Sequence, residues 1–313
     1  MSRYSISDAV FFATKHDKKS KHFRRLAITY ILLKIVFFAV LVAIAFPFMS
    51  GLGELFSGDL DPQVLEAELV APISLLSNIQ SIGGLLFLPF FMAVMGSFYR
   101  WAVNDDWSSK GFGLRFGNTE LHLFLVYLVV YIIIILATLA LIIPFSIVMS
   151  IQFAASDEFS STLVAVAVLG GFAIFWIWIW LAIKLSLAAA LTVRHGEIKI
   201  FESFAATKGH FWKLFFSNFL FIIMYIVILV IFMIAMLIIS LPFIGVGMAI
   251  FGTSPAESDY ILIAVVAAIP IALLIIAALW IEFWGYAASA GIGAYFLRWK
   301  EGDPVEKVAK EFE

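Results

Sequence analysis

Apolar positions along this chain neither alternate nor recur on one helical face. They run on for twenty to thirty residues at a time. A helical run of about 20 residues covers the roughly 30 Å of bilayer hydrocarbon, whereas a membrane strand alternates with period two. Six runs qualify: Leu26–Met49, Ser74–Val103, Leu121–Ser150, Thr162–Val193, Phe211–Leu241 and Ile261–Leu297. The second holds Asn78, Gln80 and Pro89, and a start near Ile82 suits it as well. The pattern predicts an all-α polytopic membrane protein with six transmembrane helices in three hairpins, one integral membrane domain over 1–313 with a charged tail at 301–313.

Charge adds an orientation. Seven Lys and Arg fall in residues 1–25, and others lie between spans two and three, around the junction of spans four and five, and in the tail. The remaining three connections hold no base and carry acids such as Glu54, Asp59, Asp61, Asp157 and Glu257. Cytoplasmic loops are the Lys/Arg-rich ones, so both termini are expected in the cytoplasm. Acid-only loops are ordinary for translocated segments, and Asp59 with Asp61 lacks the ordered oxygen ligands of a calcium loop.

The composition agrees: 63% of residues are hydrophobic and 13% charged, far from the soluble norm. A net charge of −2 gives no footing for nucleic acid, and the absence of Cys removes disulfides, thiolate metal sites and cysteine nucleophiles.

A short phrase occurs twice. FFATKH begins at Phe11 and FAATKGH at Phe204, each basic and each just ahead of an outward span. Ser7 is placed to cap a stub carrying Val10, Phe11, Ala13 and Lys15. Ile198, Phe201 and Ala205 are spaced for one side of a second stub, which bears Lys208 and which Gly209 can end. Such stubs, apolar below and basic above, suit the headgroup boundary. A middle counterpart places Phe112, Leu114 and Phe116 beside Arg115, with Asn118 a fair N-cap and Glu120 in the first turn of span three. The span ends also match, GSFYRW at Gly96–Trp101 against GAYFLRW at Gly293–Trp299. The expected unit is stub, span out, loop, span back, repeated in parallel over 5–103, 108–194 and 197–300.

Through the phrase FAATKGHFW at Phe204–Trp212 the chain resembles, best over about residues 185–240 and loosely elsewhere, the integral membrane domain attached to some bacterial glycerophosphodiester phosphodiesterases, and that domain's stand-alone relatives. The resemblance implies a bacterial inner-membrane location. It brings over no enzyme, because that family's phosphodiesterase chemistry belongs to a separate soluble domain.

Trp176, Trp178 and Trp180 in span four, and Trp280, Trp284 and Tyr286 in span six, favour the interface. They set the inner boundary and make the long helices project beyond it. Lys34, Lys184, Glu282 and Asn218 then fall at similar depth. Two readings of this layer stand open: a seat for an anionic headgroup or fatty carboxylate, or snorkelling lysines with Glu282 paired for assembly.

Other chemistry is sparse. There is no Walker loop, no dinucleotide fingerprint and no pair of His at i, i+4. His195 and His210 with Glu197 and Glu202 read more simply as interface polar groups than as a metal or acid–base site, and Asp105 with Asp106 reads more simply as loop solvation than as a cation chelate. The expected function is non-enzymatic: binding of membrane lipid or an anionic amphiphile at the inner leaflet, organising the membrane or a protein partner at the cytoplasmic face, with no metal or cofactor. The alternative is a small transporter of a hydrophobic or anionic solute.

Overall fold

The computed structural model describes residues 4–15, 20–49, 62–107, 114–155, 161–251 and 257–302, and within these the side chains of 15, 20, 44–49, 62–81, 154–155, 162–163, 243–251 and 257–267 are left aside. The described residues hold no strand. The helices are α1 Ile6–Val10, α2 Phe12–Lys15, α3 Ser20–Met49, α4 Pro62–Asn104, α5 Asn118–Ala155, α6 Ser161–Leu185, α7 Ala188–His195, α8 Glu202–Ala206, α9 Phe211–Phe251 and α10 Glu257–Glu301. Among the described residues, six stretches are long and apolar enough to cross a membrane: within α3, α4, α5 and α9, across α6 and α7 together, and within α10. The apolar part of α4 begins at Ile82, within a helix that itself starts at Pro62. The loop acids Glu54, Asp59, Asp61 and Asp157 lie outside the described residues.

α3 packs along α4, α5 along α6, and α9 along α10. The C-terminal parts of α4 and α10 and the short α7 touch one another pairwise and form the centre. Small residues allow this approach: Ala93, Ala102, Ala188, Ala190 and Ala294 are buried there. Lipid tails are as apolar as leucine, so close packing and interhelical hydrogen bonds, rather than the hydrophobic effect, hold such helices together.

Burial is concentrated at one end of the molecule, and among the described residues only α4 carries it further, at Gly83 beside Leu41 of α3. Among described side chains, the last buried residue of α3 is Ile31, of α5 Val126 and of α9 Ser217. The first in α6 is Ile183, and in α10 Phe283. Beyond that edge the helices present Leu, Ile, Val and Phe outward, as lipid-facing helices do. Inside the edge, Tyr30, Phe98, Trp101, Phe283 and Phe296 are fully buried.

Arginines near the three helix ends tie this packed layer together. Arg100 of α4 pairs with buried Glu120 of α5 and donates to Ser97. Arg194 of α7 reaches Glu301 at 2.8 Å and the Val103 carbonyl at 3.1 Å. Arg298 of α10 pairs with Asp105 at 2.5 Å. Asp106 pairs with Arg115 at 3.2 Å, so both aspartates are held by guanidinium groups rather than simply solvated.

The short helices correct the capping expectations. Ser5, not Ser7, caps α1: its Oγ accepts the Asp8 N–H at 3.2 Å. Asn118 does not act as N-cap of α5. It is already helical, and the Glu120 carboxylate reaches back to the Gly117 N–H at 2.9 Å, as the acidic member of a capping box does. The second stub is shorter than expected: α8 covers only Glu202–Ala206 with Thr207 as its C-cap, so Ile198 lies ahead of it and Gly209, at φ +77, sits in the turn beyond it rather than ending it. The fourth span, read as continuous over Thr162–Val193, is interrupted at Ser186–Leu187.

Candidate functional site

Lys34 and Glu282 come together at the edge of the packed layer. The Lys34 ammonium lies 2.5 Å from both Glu282 carboxylate oxygens and 3.1 Å from the Tyr30 hydroxyl. Tyr286 donates to Glu282 at 3.3 Å. Each charge thus has a tyrosine one helical turn away on its own helix, since residues i and i+4 share a face. The ammonium also sits 5.4 Å from the Tyr30 ring centroid and 6.0 Å from that of Phe87, a cation–π distance. The pair carries no net charge.

The other two residues of that layer sit elsewhere. Lys184 follows Ile183 at the same packing edge. Its ammonium has no ion-pair partner among the described residues, and its carbonyl accepts the Ser203 hydroxyl at 2.5 Å. Asn218 lines a separate cavity of about 290 Å³, together with Tyr99, Tyr127, Ser186 and Ser289. All four sequence-selected residues flank the edge of burial, yet only Lys34 and Glu282 are in contact.

A second cationic feature lies on α3. Lys21, Arg24 and Arg25 line a shallow groove of about 390 Å³ whose floor is Ile28, Thr29 and Leu32. The Thr29 hydroxyl is turned back to the Arg25 carbonyl at 2.9 Å. Positions 21, 24, 25, 28 and 32 recur at helical spacing on one face. That spacing was present in the sequence, where these bases served only to orient the chain. Between α6 and α9, Trp176, Trp180, Phe211 and Trp212 line an apolar cleft of about 400 Å³.

The stub residues are divided in their surroundings. Phe11 is half-buried against the core, and Phe204 is half-buried with its ring 6.0 Å from that of Trp180. Phe201 is 73% exposed and Phe116 65%. Lys208 is exposed, whereas the Lys15 side chain and Phe112 lie outside the described residues. The repeated phrase takes the same local form twice: the Thr14 hydroxyl donates to the Phe11 carbonyl at 3.1 Å, and the Thr207 hydroxyl to the Phe204 carbonyl at 3.1 Å.

Comparison with protein families, with characterised proteins and with solved structures finds no match to this chain.

Two groups outside the spans have displaced titrations. Burial raises the Tyr4 hydroxyl to about 12, opposed by its 2.9 Å hydrogen bond with Ser217. Partial burial lowers the His210 imidazole, and the nearby Lys213 and Lys300 add to the shift. His210 packs its ring against Phe296 and Trp299. No group of three or more His, Asp or Glu among the described residues is placed to hold a metal ion.

Proposed function

We propose that this chain is a non-enzymatic multi-pass protein of the bacterial inner membrane that binds anionic lipid at the inner leaflet, with both termini in the cytoplasm. The groove on α3 carries the reading: three cations stand above an apolar floor at the start of a span. A lipid with a negative head and an acyl tail matches that division. Each base near an anionic surface contributes about 1 kcal/mol, and the Ile28 and Leu32 side chains remain open to an acyl chain.

In this reading the chain is three parallel hairpins with interfacial stubs. Support comes from the pairing of α3 with α4, α5 with α6 and α9 with α10, and from the matching Thr14 and Thr207 bonds. The stub contacts follow a cycle. α1 and α2 pack on α10, Phe116 lies 6.4 Å from Phe90 of α4, and α8 packs on α6 and α7. Each stub thus rests on the unit before it, and the first rests on the last.

The test compares lipid carried by the wild type and by the Arg24→Gln/Arg25→Gln variant. Both are reconstituted with a phosphatidylglycerol–phosphatidylethanolamine mixture, extracted in mild detergent and weighed by native mass spectrometry. The expected result is a severalfold loss of bound phosphatidylglycerol in the variant. An unchanged amount overturns the reading.

The transporter alternative draws on one observation, the polar cavity around Asn218. Its lining ends at Ile134 and Ala182, about 24 Å along α5 from Asn118, and so describes a pocket rather than a path.

A further inference from the structure

The cavity around Asn218 has a chemistry of its own, independent of the α3 groove. Six helices, α4, α5, α6, α7, α9 and α10, build it. Tyr99 comes from α4 and Tyr127 from α5. Ser186 sits at the break between α6 and α7, Asn218 is on α9 and Ser289 on α10. No Asp, Glu, Lys, Arg or His is among its lining residues. A buried charge without a partner is strongly disfavoured, so the cavity selects against ions.

The helix break is what opens this space. Ser203 inserts its hydroxyl into the gap, accepting the Leu187 N–H at 3.3 Å and donating to the Lys184 carbonyl at 2.5 Å. The Ser186 hydroxyl donates to the Ile183 carbonyl at 2.8 Å. A side chain entering the i to i−4 ladder is a known cause of a sharp kink. Irregular backbone at membrane depth is tolerated where protein buries it or where it lines a cavity. Here Ser203 repairs one side of the gap, and Leu185 and Ser186 line the cavity on the other.

Polar capacity remains inside. Asn218 donates one N–H to the Leu214 carbonyl at 2.8 Å, which leaves its own carbonyl and second N–H for another partner. The Tyr99 and Tyr127 hydroxyls lie 3.3 Å apart and share one hydrogen bond, leaving acceptor lone pairs and a second proton. Ser289 is exposed in the cavity and has no hydrogen-bond partner among the described residues.

The polar groups form a band across the cavity, with Ala188, Ala189, Ile292 and Gly293 on its packed-layer side. On α5 the wall continues from Tyr127 through Val130 to Ile134, away from the packed layer and toward the half of the helix whose apolar side chains are exposed. A space of about 290 Å³ exceeds the roughly 30 Å³ share of one water. We infer that it holds the uncharged, hydroxyl-bearing head of an amphiphile, whose apolar tail leaves along Val130 and Ile134.

The test uses the full chain in phosphatidylethanolamine nanodiscs, with empty nanodiscs subtracted. Saturable binding is measured for radiolabelled n-dodecanol, dodecanoate and inositol. These are a neutral head with a tail, a charged head with the same tail, and a free polyol. Dodecanol should bind at least about tenfold tighter than the other two, and Asn218→Leu should weaken it about tenfold, the worth of a neutral hydrogen bond or slightly more. Val130→Trp, which fills the tail path, should abolish it. Ser289→Ala, a milder change, should weaken it severalfold with the melting temperature retained. Arg24→Gln/Arg25→Gln should leave dodecanol binding intact, which separates this site from the α3 groove. Absence of saturable dodecanol binding, equal binding of dodecanoate or of inositol, or full affinity in folded Asn218→Leu and Ser289→Ala proteins overturns the inference.

Discussion

Lys34 and Glu282 stand 248 positions apart in the sequence and 2.5 Å apart in the fold. Neither would be stable alone beside hydrocarbon. Together, with Tyr30 and Tyr286 adding hydrogen bonds, they close a neutral cluster between α3 and α10.

Lys34→Met should therefore destabilise the protein by about 2–3 kcal/mol, because it strands the carboxylate rather than because the pair is intrinsically strong. Lys34→Met/Glu282→Leu should recover most of that loss. Thermal unfolding in detergent micelles, followed by tryptophan fluorescence, reads both. A double variant no better than the single would show that the pair contributes more than mutual neutralisation.

Glu120 serves two neighbours, Arg100 and the Gly117 N–H. Glu120→Gln should cost about 3 kcal/mol, the price of leaving a buried guanidinium unpaired. Gly96→Ala should act on the same carboxylate, since an added Cβ would lie 2.6 Å from a Glu120 oxygen. A loss of about 1–3 kcal/mol is expected. The two effects share a partner and should fall short of additive when combined.

Thr14 and Thr207 offer a test of the repeat. Each hydroxyl donates to the phenylalanine carbonyl three residues back. Thr→Val at either site keeps the shape and removes the bond, at about 1 kcal/mol. Thr207 is fully buried, and its substitution should be the costlier of the two. A neutral result at both positions would mean that the repeated phrase is maintained for something other than this turn.

His210 predicts a pH effect of defined sign. Its folded-state pKa lies below the ordinary histidine value, through partial burial first and then Lys213 and Lys300. The unfolded chain then binds the proton more readily, so the contribution is fully present above about pH 6.5 and is lost as pH falls through the folded value. Wild-type protein should lose slightly more melting temperature than His210→Gln between pH 8 and pH 5.5. Equal losses would show that the imidazole does not respond to its lysine neighbours.

The six apolar stretches and their helical nature were legible from residue order alone. Run length against bilayer thickness is a local property and needs no partner. Lys34, Lys184, Asn218 and Glu282 stood out because a polar side chain in an apolar run is conspicuous. Their grouping was not legible. Two short caps were misplaced by two positions or fewer, at Ser5 and Gly117, because a serine or asparagine nearby offered an equivalent signal.

What the sequence by itself determined is which segments must live in lipid and which polar residues that placement makes costly. Tertiary structure decided who meets whom: Lys34 with Glu282, and Asn218 with Tyr99 and Tyr127. It also decided the break in the fourth span, which no proline or glycine at that point announces. The hydroxyl that enters there belongs to Ser203, 19 residues beyond the Lys184 carbonyl that accepts it. A hydrogen bond of about 3 Å across that separation exists only once α8 has folded back on α6, and no local pattern of residues encodes it.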